Sequence, residues 1–334
     1  MSPQLFPDHR QNTGAAHVVT IGNFDGVHRG HQHLIDAVVT AANEHGVRSA
    51  VLTFDPLPLE VLRPDIHLPR ITSTSDRLAL IRALGVDDVI PIPFTRDVSN
   101  LEPAEFVQQV VDTLHPTEII VGADFAFGHN RSGNPAVLGR LGIDHGYSVR
   151  IIDRIGNSGA DFSSSLVRAR LAEGDVTHAA DVLGRPFFLR GRVVEGKRRG
   201  RELGFPTANL HVLDNVIVPA DGIYAALAHT ETSRELVPSM VYVGTNPTFA
   251  EVTQAVEVNL IGFNGDLYGT VLTVVFVDRV RSDQRFESAD ALVAQMNQDQ
   301  RQTERVIAAL DDDWPGDPLR AVLGIGKGAL TGDR

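Results

Sequence analysis

The first half of the chain repeats one pattern: an apolar run, a glycine or proline break, then an amphipathic stretch. His17–Ile21 reads as a strand and stops at Gly22. A helical pattern follows from about His31 to His45 and stops at Gly46. Ser49–Phe54 is a second strand, broken by Pro56 and Pro58. Ser75–Leu84 is helical and closed by Gly85, and Asp88–Ile92 is a strand. Pro103 suits the first turn of a helix running to about Leu114. Glu118–Gly122 and Ser148–Asp153 are further strands. This alternation predicts a parallel sheet covered on both faces. Near Arg185-Pro186 the pattern changes to strands alone: Phe187–Glu195, Gly222–His229, Val237–Val243, Ala255–Phe263 and Thr270–Asp278. Strands punctuated by glycine, proline and asparagine predict a small antiparallel barrel or sandwich. A long helix over Ser288–Leu310 follows, and the stretch after Asp311 is expected to pack weakly. The expected domains are 1–184, α/β, and 185–311, β, with a tail over 312–334.

A length of 334 residues is enough for two cores. With 43% hydrophobic and 22% charged residues, the chain is expected to fold. The net charge of -12 opposes general nucleic-acid binding, because phosphate backbones repel it. The absence of cysteine excludes disulfides, thiol nucleophiles and thiolate metal sites. No apolar run is long enough to span a bilayer, and Met1–Gly14 shows no signal-peptide pattern. The expectation is a cytoplasmic protein with no membrane partner.

Gly22-Asn23-Phe24-Asp25-Gly26-Val27-His28-Arg29-Gly30-His31 joins the first strand to its helix. Open α/β sheets bind ligands there, beyond the carboxyl ends of their strands. The glycines admit close backbone approach, and the helix start offers N–H groups to an anion. His28 and His31 can face one point if the helix starts between them, and can then donate to a phosphate. A capped turn with surface histidines and a metal site built on His28, His31 and His33 are the competing readings. Farther on, Ser163, Ser164 and Ser165 precede an apolar helical pattern and can cap it and bind an anion. Arg168 lies one turn in.

These motifs resemble the nucleotidylyltransferase superfamily. With Thr53-Phe54-Asp55-Pro56 and Val121-Gly122-Ala123-Asp124-Phe125, the wider text resembles the N-terminal module of bacterial FAD synthetase. The resemblance implies a Rossmann-like domain that adenylylates FMN with ATP. It implies that Gly22, Asn23, Phe24, Asp25 and Gly30 bind nucleotide and that His28 and His31 hold the α-phosphate. Ser163–Ser165 and Arg168 would hold the β- and γ-phosphates. Asp124, Phe125 and Pro56 would lie near the flavin or the adenine. Leu57 and Ala126 stand where the family usually has histidine and a polar residue, and Ser165 where it commonly has threonine.

In the second half, Gly204-Phe205-Pro206-Thr207-Ala208-Asn209 follows a basic, glycine-rich stretch. If extended, Thr207 and Asn209 share a side, where a hydroxyl and an amide oxygen suit magnesium with phosphates. Gly196, Gly200 and Gly204 allow a loop over a triphosphate. Gly191–Lys197 spaces like a P-loop but lacks its hydroxyl and its helix, so it is not one. Lys197-Arg198-Arg199 reads as facing ATP phosphates, with RNA binding as the lesser alternative. On Ala255–Phe263, Val256, Val258 and Leu260 form an apolar face, while Glu257 and Asn259 point away. Glu257 is either a solvent-facing glutamate or a general base.

The order of Gly191–Gly196, Gly204–Asn209, Asp221–Tyr224, Gly244–Phe249, Val256–Leu260 and Asp266–Gly269 resembles riboflavin kinase. That resemblance implies ATP contacts at Gly196, Lys197, Gly204 and Pro206, and magnesium at Thr207 and Asn209. It implies flavin contacts at Asn246 and Thr248, and Glu257 as the base. Asn259 stands where histidine is frequent. Together the two resemblances identify the chain as a member of the bacterial bifunctional riboflavin kinase/FMN adenylyltransferase family. The partners implied are riboflavin, FMN and ATP. The alternative is a kinase whose N-terminal half is weak or inactive and only binds nucleotide.

Overall fold

A computed structural model describes residues 3–6, 14–157, 159–196, 204–230, 235–247, 252–311 and 314–327. Packing divides the chain into two compact units, residues 1–68 with 74–162, and residues 69–73 with 163–334.

The first unit holds a five-stranded sheet: β1 (His17–Ile21), β2 (Arg48–Asp55), β3 (Asp88–Pro93), β4 (Pro116–Gly122) and β5 (Ser148–Ile152). The spatial order is β3-β2-β1-β4-β5, and the paired strands are parallel. Alternation along the strands serves two cores. Val18 and Ile120 pack on Val38, Ala41 and Ala42 of the helix Arg29–His45. Val19, Ile21, Ile119 and Val121 face the opposite side, against Phe106, Val107 and Val110 of the helix Pro103–Leu114. Every residue of β1 is therefore buried. The strand order reverses between β1 and β4, and such a switch point opens a crevice at the strands' carboxyl ends. The loops after Ile21 and after Gly122 leave the sheet at that end. A two-residue hairpin, β6 (Gly156–Asn157) and β7 (Ala160–Asp161), completes the unit's strands.

The second unit is a closed antiparallel barrel of β8 (Phe188–Val194), β9 (Ala208–Val212), β10 (Gly222–Thr230), β11 (Val237–Pro247), β12 (Val252–Leu260) and β13 (Val271–Ser282). Its order is β10-β11-β12-β9-β8-β13. The helix Ala289–Ala308 is capped by Ser288 and tied to β13 by a bidentate pair, Arg281 to the buried Asp299 at 2.8–3.0 Å. Two helices, Ser164–Glu173 and Val176–Leu183, pack with the barrel. Leu171 O accepts from Ala220 N at 3.0 Å, and Arg279 Nη1 donates to Glu173 O at 3.0 Å.

The compact units divide after Phe162, so both of these helices are grouped with the barrel. Two features differ from the sequence reading. Among the described residues after Asp311, Asp317–Leu323 is a helix, with Leu319, Leu323 and Ile325 buried. Leu319 and Leu323 are four apart, so one helical face carries both. Finally, Asn259 does not point to water. It is 5% exposed, although it lies on the same side of β12 as Glu257.

Candidate active sites

In the first unit the turn after β1 is wound tightly. Phe24, Gly26 and Val27 take φ of 51°, 81° and 44°. A buried, β-branched valine in the left-handed region is strained, and such strain concentrates at functional turns. The turn delivers His28 as the N-cap of the helix Arg29–His45. Its Nδ1 accepts the His31 N–H at 3.4 Å, which leaves the proton of a neutral ring on Nε2. The two imidazoles stack with centroids 3.6 Å apart. Burial holds His31 well below its ordinary pKa, and the nearby His28 and Arg77 charges push the same way. His31 is therefore a neutral ring. Its Nδ1 is buried and has no hydrogen-bond partner among the described residues.

Arg77 lies beneath this turn, fully buried on the helix Thr74–Ala83. Its Nη1 donates to Asn23 O at 3.2 Å and its Nη2 to Phe54 O at 2.7 Å. Thr53 Oγ1 also donates to Asn23 O, at 3.0 Å. A fixed positive charge thus underlies the histidine pair. Gly30 packs closely on His28, since a Cβ there would lie 3.1 Å from its Cε1, and Asp25 is buried. At the end of β4, Asp124 is exposed and paired with Arg154 at 2.8 Å. Phe125 stacks on Phe127 at 5.2 Å and packs on the sheet's core. Pro56 follows a cis peptide bond, and Asp55 Oδ1 accepts from Thr74 Oγ1 at 2.7 Å. Leu57 is buried, with its N–H capped by Glu60 at 2.9 Å.

The serine turn belongs to the second unit. Ser163 is the N-cap of its helix and accepts the Leu166 N–H at 3.2 Å, with Ser164 and Ser165 in the first turn. Arg168 Nε donates to Pro69 O at 2.9 Å. Arg70 in turn forms a parallel bridge with Val216, so residues 69–73 are tied to this unit.

On the barrel, the pairing of β9 with β12 sets Asn209 opposite Glu257, and β11 sets Tyr242 opposite Glu257 on the other side. Thr207 Oγ1 donates to Glu257 Oε2 at 3.2 Å. Asn259 Nδ2 donates to Pro206 O at 2.8 Å. Gly196 presses on Asn209, since a Cβ there would lie 2.1 Å from Nδ2. Burial raises the pKa of the Tyr242 hydroxyl, and the Asp283, Asp221 and Glu257 carboxylates add to the shift, so it stays neutral. Gly204 has φ 84° at the turn into the Pro206–Asn209 segment. Asp221 Oδ2 accepts from Thr245 N and Oγ1 at 3.0 and 2.7 Å, which anchors the strand bearing Asn246. Lys197 and Thr248 lie outside the described residues.

Comparison with known proteins bears on both sites. A family model for FAD synthetase matches residues 10–166, and one for riboflavin kinase matches 183–307. The bifunctional riboflavin kinase/FMN adenylyltransferase of Escherichia coli K12 is 36% identical over 85% of this chain and 90% of its own length. The protein of the same name from Pseudomonas fluorescens is 39% identical, over 88% and 93%. This chain belongs to the bifunctional riboflavin kinase/FMN adenylyltransferase family. A crystal structure from Streptococcus pneumoniae, named a macrolide-efflux protein, superposes with a TM-score of 0.80 and 31% identity, covering 88% of this chain and 96% of that one. Among the described residues here, no helix is long and apolar enough to cross a membrane.

Within this member of the family, the structure brings His28 to His31 and gathers Thr207, Asn209 and Glu257. It places Phe125 largely in packing. The sequence reading passed over Arg77 and Tyr242. Helical spacing carried a signal for the first: Arg77 shares the buried face with Leu80 and Ile81, three and four residues on. For Tyr242 the signal lay only in the β11–β12 register, which a sequence does not print.

Proposed function

We propose that this chain phosphorylates riboflavin to FMN and then adenylylates FMN to FAD, using one ATP in each step. The relatives are named for both activities, which disfavours an inactive N-terminal half. Residues 185–311 are assigned to the kinase and 1–184 to the adenylyltransferase.

The observation that carries the reading is the cross-strand group of Glu257, Thr207 and Asn209. Glu257 takes the proton of the ribityl 5′-hydroxyl, and that oxygen attacks the γ-phosphorus of ATP as the bond to ADP breaks. In the unliganded protein Thr207 donates to Glu257. With substrate bound its hydroxyl oxygen turns to the nucleotide side, leaving the carboxylate to the flavin hydroxyl. The three side chains supply hard oxygen donors, which fit a small hard dication. Magnesium held there by Thr207 and Asn209 would neutralise charge on the ATP phosphates. Gly196, Lys197, Gly204 and Pro206 are assigned to the nucleotide, and Asn246 and Thr248 to the flavin.

In the adenylyl step the FMN phosphate attacks the α-phosphorus of ATP, and pyrophosphate leaves. That phosphate is already ionised, so no base is required. His28 and His31 donate to the α-phosphate oxygens from the turn Gly22–Gly30, over the fixed charge of Arg77. The unpartnered Nδ1 of His31 is the polar atom such a ligand would satisfy. Ser163, Ser164, Ser165 and Arg168 are assigned to the β- and γ-phosphates, and Pro56, Asp124 and Phe125 to the flavin side.

The test supplies riboflavin, ATP and magnesium and separates the flavins by chromatography. FMN followed by FAD is expected. Glu257→Gln should lower FMN formation by about 10²–10⁴-fold while still converting supplied FMN to FAD. His28→Ala should do the reverse, with adenylylation down about 10²–10³-fold. Undiminished kinase turnover in Glu257→Gln would sink the assignment of the base.

A further inference from the structure

We infer that Asn259 is a positioning residue for phosphoryl transfer, acting through the Pro206 carbonyl on Thr207. The inference rests on the kinase reading above and deepens it. Three observations meet at this side chain. It is a polar group buried to 5% exposure. It stands on β12 two residues beyond Glu257, so both point to one side of that strand. Its amide donates to Pro206 O at 2.8 Å, one residue before Thr207.

The register explains why a side chain is needed there. The β9–β12 ladder runs from Val256↔Leu210 through Glu257↔Asn209 to Val258↔Ala208. β9 begins at Ala208, so the backbone ladder gives out just before Thr207 and Pro206. Pro206 has no N–H to offer, and its carbonyl would otherwise have to find a donor elsewhere. The Asn259 carboxamide extends the ladder by one rung. That rung fixes the backbone at Pro206 and thereby the direction of the Thr207 hydroxyl, 3.2 Å from Glu257. Thr207 is a small side chain with one useful oxygen, so its reach depends on where its backbone sits. Without the rung, the segment entering β9 is free to move away from β12, and the hydroxyl leaves the common face of Glu257 and Asn209.

The chemistry needed at 259 is an N–H at the δ position. Histidine has that option, since its Nδ1 occupies the same branch position as the asparagine Nδ2. Aspartate has the shape and lacks the donor. Its carboxylate would face the carbonyl oxygen and repel it.

The experiment measures kinase kcat and KM for ATP, and the magnesium dependence, on the full chain. The variants are Asn259→Ala, Asn259→Asp and Asn259→His, with adenylylation of supplied FMN as the control. The expected result for Asn259→Ala and Asn259→Asp is a fall of about tenfold or more in kinase kcat/KM for ATP. Half-saturating magnesium should rise, and adenylylation should be unchanged. Asn259→His should recover most of the loss. In a Thr207→Val background, Asn259→Ala should cost little more, because the effect passes through Thr207. Unchanged kinase constants in a folded Asn259→Ala or Asn259→Asp protein would overturn the inference. So would a loss that adds fully to that of Thr207→Val, or one that histidine does not rescue. If the alanine protein fails to fold, the isosteric aspartate and the histidine proteins give the same reading. A wild-type protein that makes no FMN, or a fully active Glu257→Gln, would instead overturn the kinase assignment itself.

Discussion

Gly196 lies so close to Asn209 that any side chain there displaces the amide. A methyl group would stand 2.1 Å from Nδ2 and 2.7 Å from Oδ1. Gly196→Ala is therefore expected to cut FMN formation by about 10²-fold while leaving FAD formation from supplied FMN intact, measured as separate initial rates. Arg77 is the corresponding residue of the other site. Its guanidinium holds two carbonyls from beneath the histidine turn, so Arg77→Met removes a charged hydrogen bond from each and leaves Asn23 O to the Thr53 hydroxyl. The expected cost is about 1.5–3 kcal/mol, read from the denaturant midpoint of the first unit. A midpoint unchanged from wild type would show that Asn23 and Phe54 find other donors.

Glycines at helix ends show how much an element's surroundings decide. The helix Arg29–His45 ends on Gly46 at φ 66°, where a Cβ would meet open space out to 4 Å. The helix Ser164–Glu173 ends on Gly174 at φ 77°, where a Cβ would meet Arg279 Cζ and Tyr224 Oη at 2.8 Å. Both substitutions to alanine carry the left-handed cost of about 1–2 kcal/mol. Gly174→Ala must also push apart the bolt in which Arg279 bonds Glu173 O and Asp221 O. It should destabilise its unit more than Gly46→Ala destabilises the other, as thermal unfolding of the two variants would report. Equal shifts would mean that Arg279 moves aside freely. The sequence shows the same signal, a glycine stop, at both places.

Within the first unit, acid sensitivity is expected in two pH ranges. Burial lowers the folded pKa of His31, so the unfolded chain binds its proton first as pH falls below the ordinary value of 6.5. Stability from this group is present above that value and is lost progressively below it. The carboxylates act lower. Hydrogen bonds from Arg48 hold Asp88 below its ordinary 3.8, with His17 contributing, and Ser49 does the same for Asp87. Their contribution is full above about 4 and is lost as pH falls through the folded values. Unfolding midpoints measured from about pH 7 to about pH 3 should fall in two stages. Asp88→Asn should flatten the lower stage, and a slope unaffected by that change would contradict its origin.

Sequence alone determined the period of the elements, and with it the first architecture, since strand and helix alternation dictates a covered parallel sheet; for the second half it left barrel and sandwich open, and closure of the barrel came from the tertiary structure. It also brought out the motifs at His28, His31, Thr207, Asn209 and Glu257, because these are local in the chain and their residue types limit the chemistry. What it left open depends on partners far apart in the chain. The helices over 164–183 lie between the two strand patterns, and only packing groups them with the barrel. Arg77 reaches Asn23 and Phe54 across two strands. Asn259 meets Pro206 because β9 begins only at Ala208, after Pro206 and Thr207. Strand register, which fixes such meetings, arises from the closed barrel as a whole and is written in no single segment.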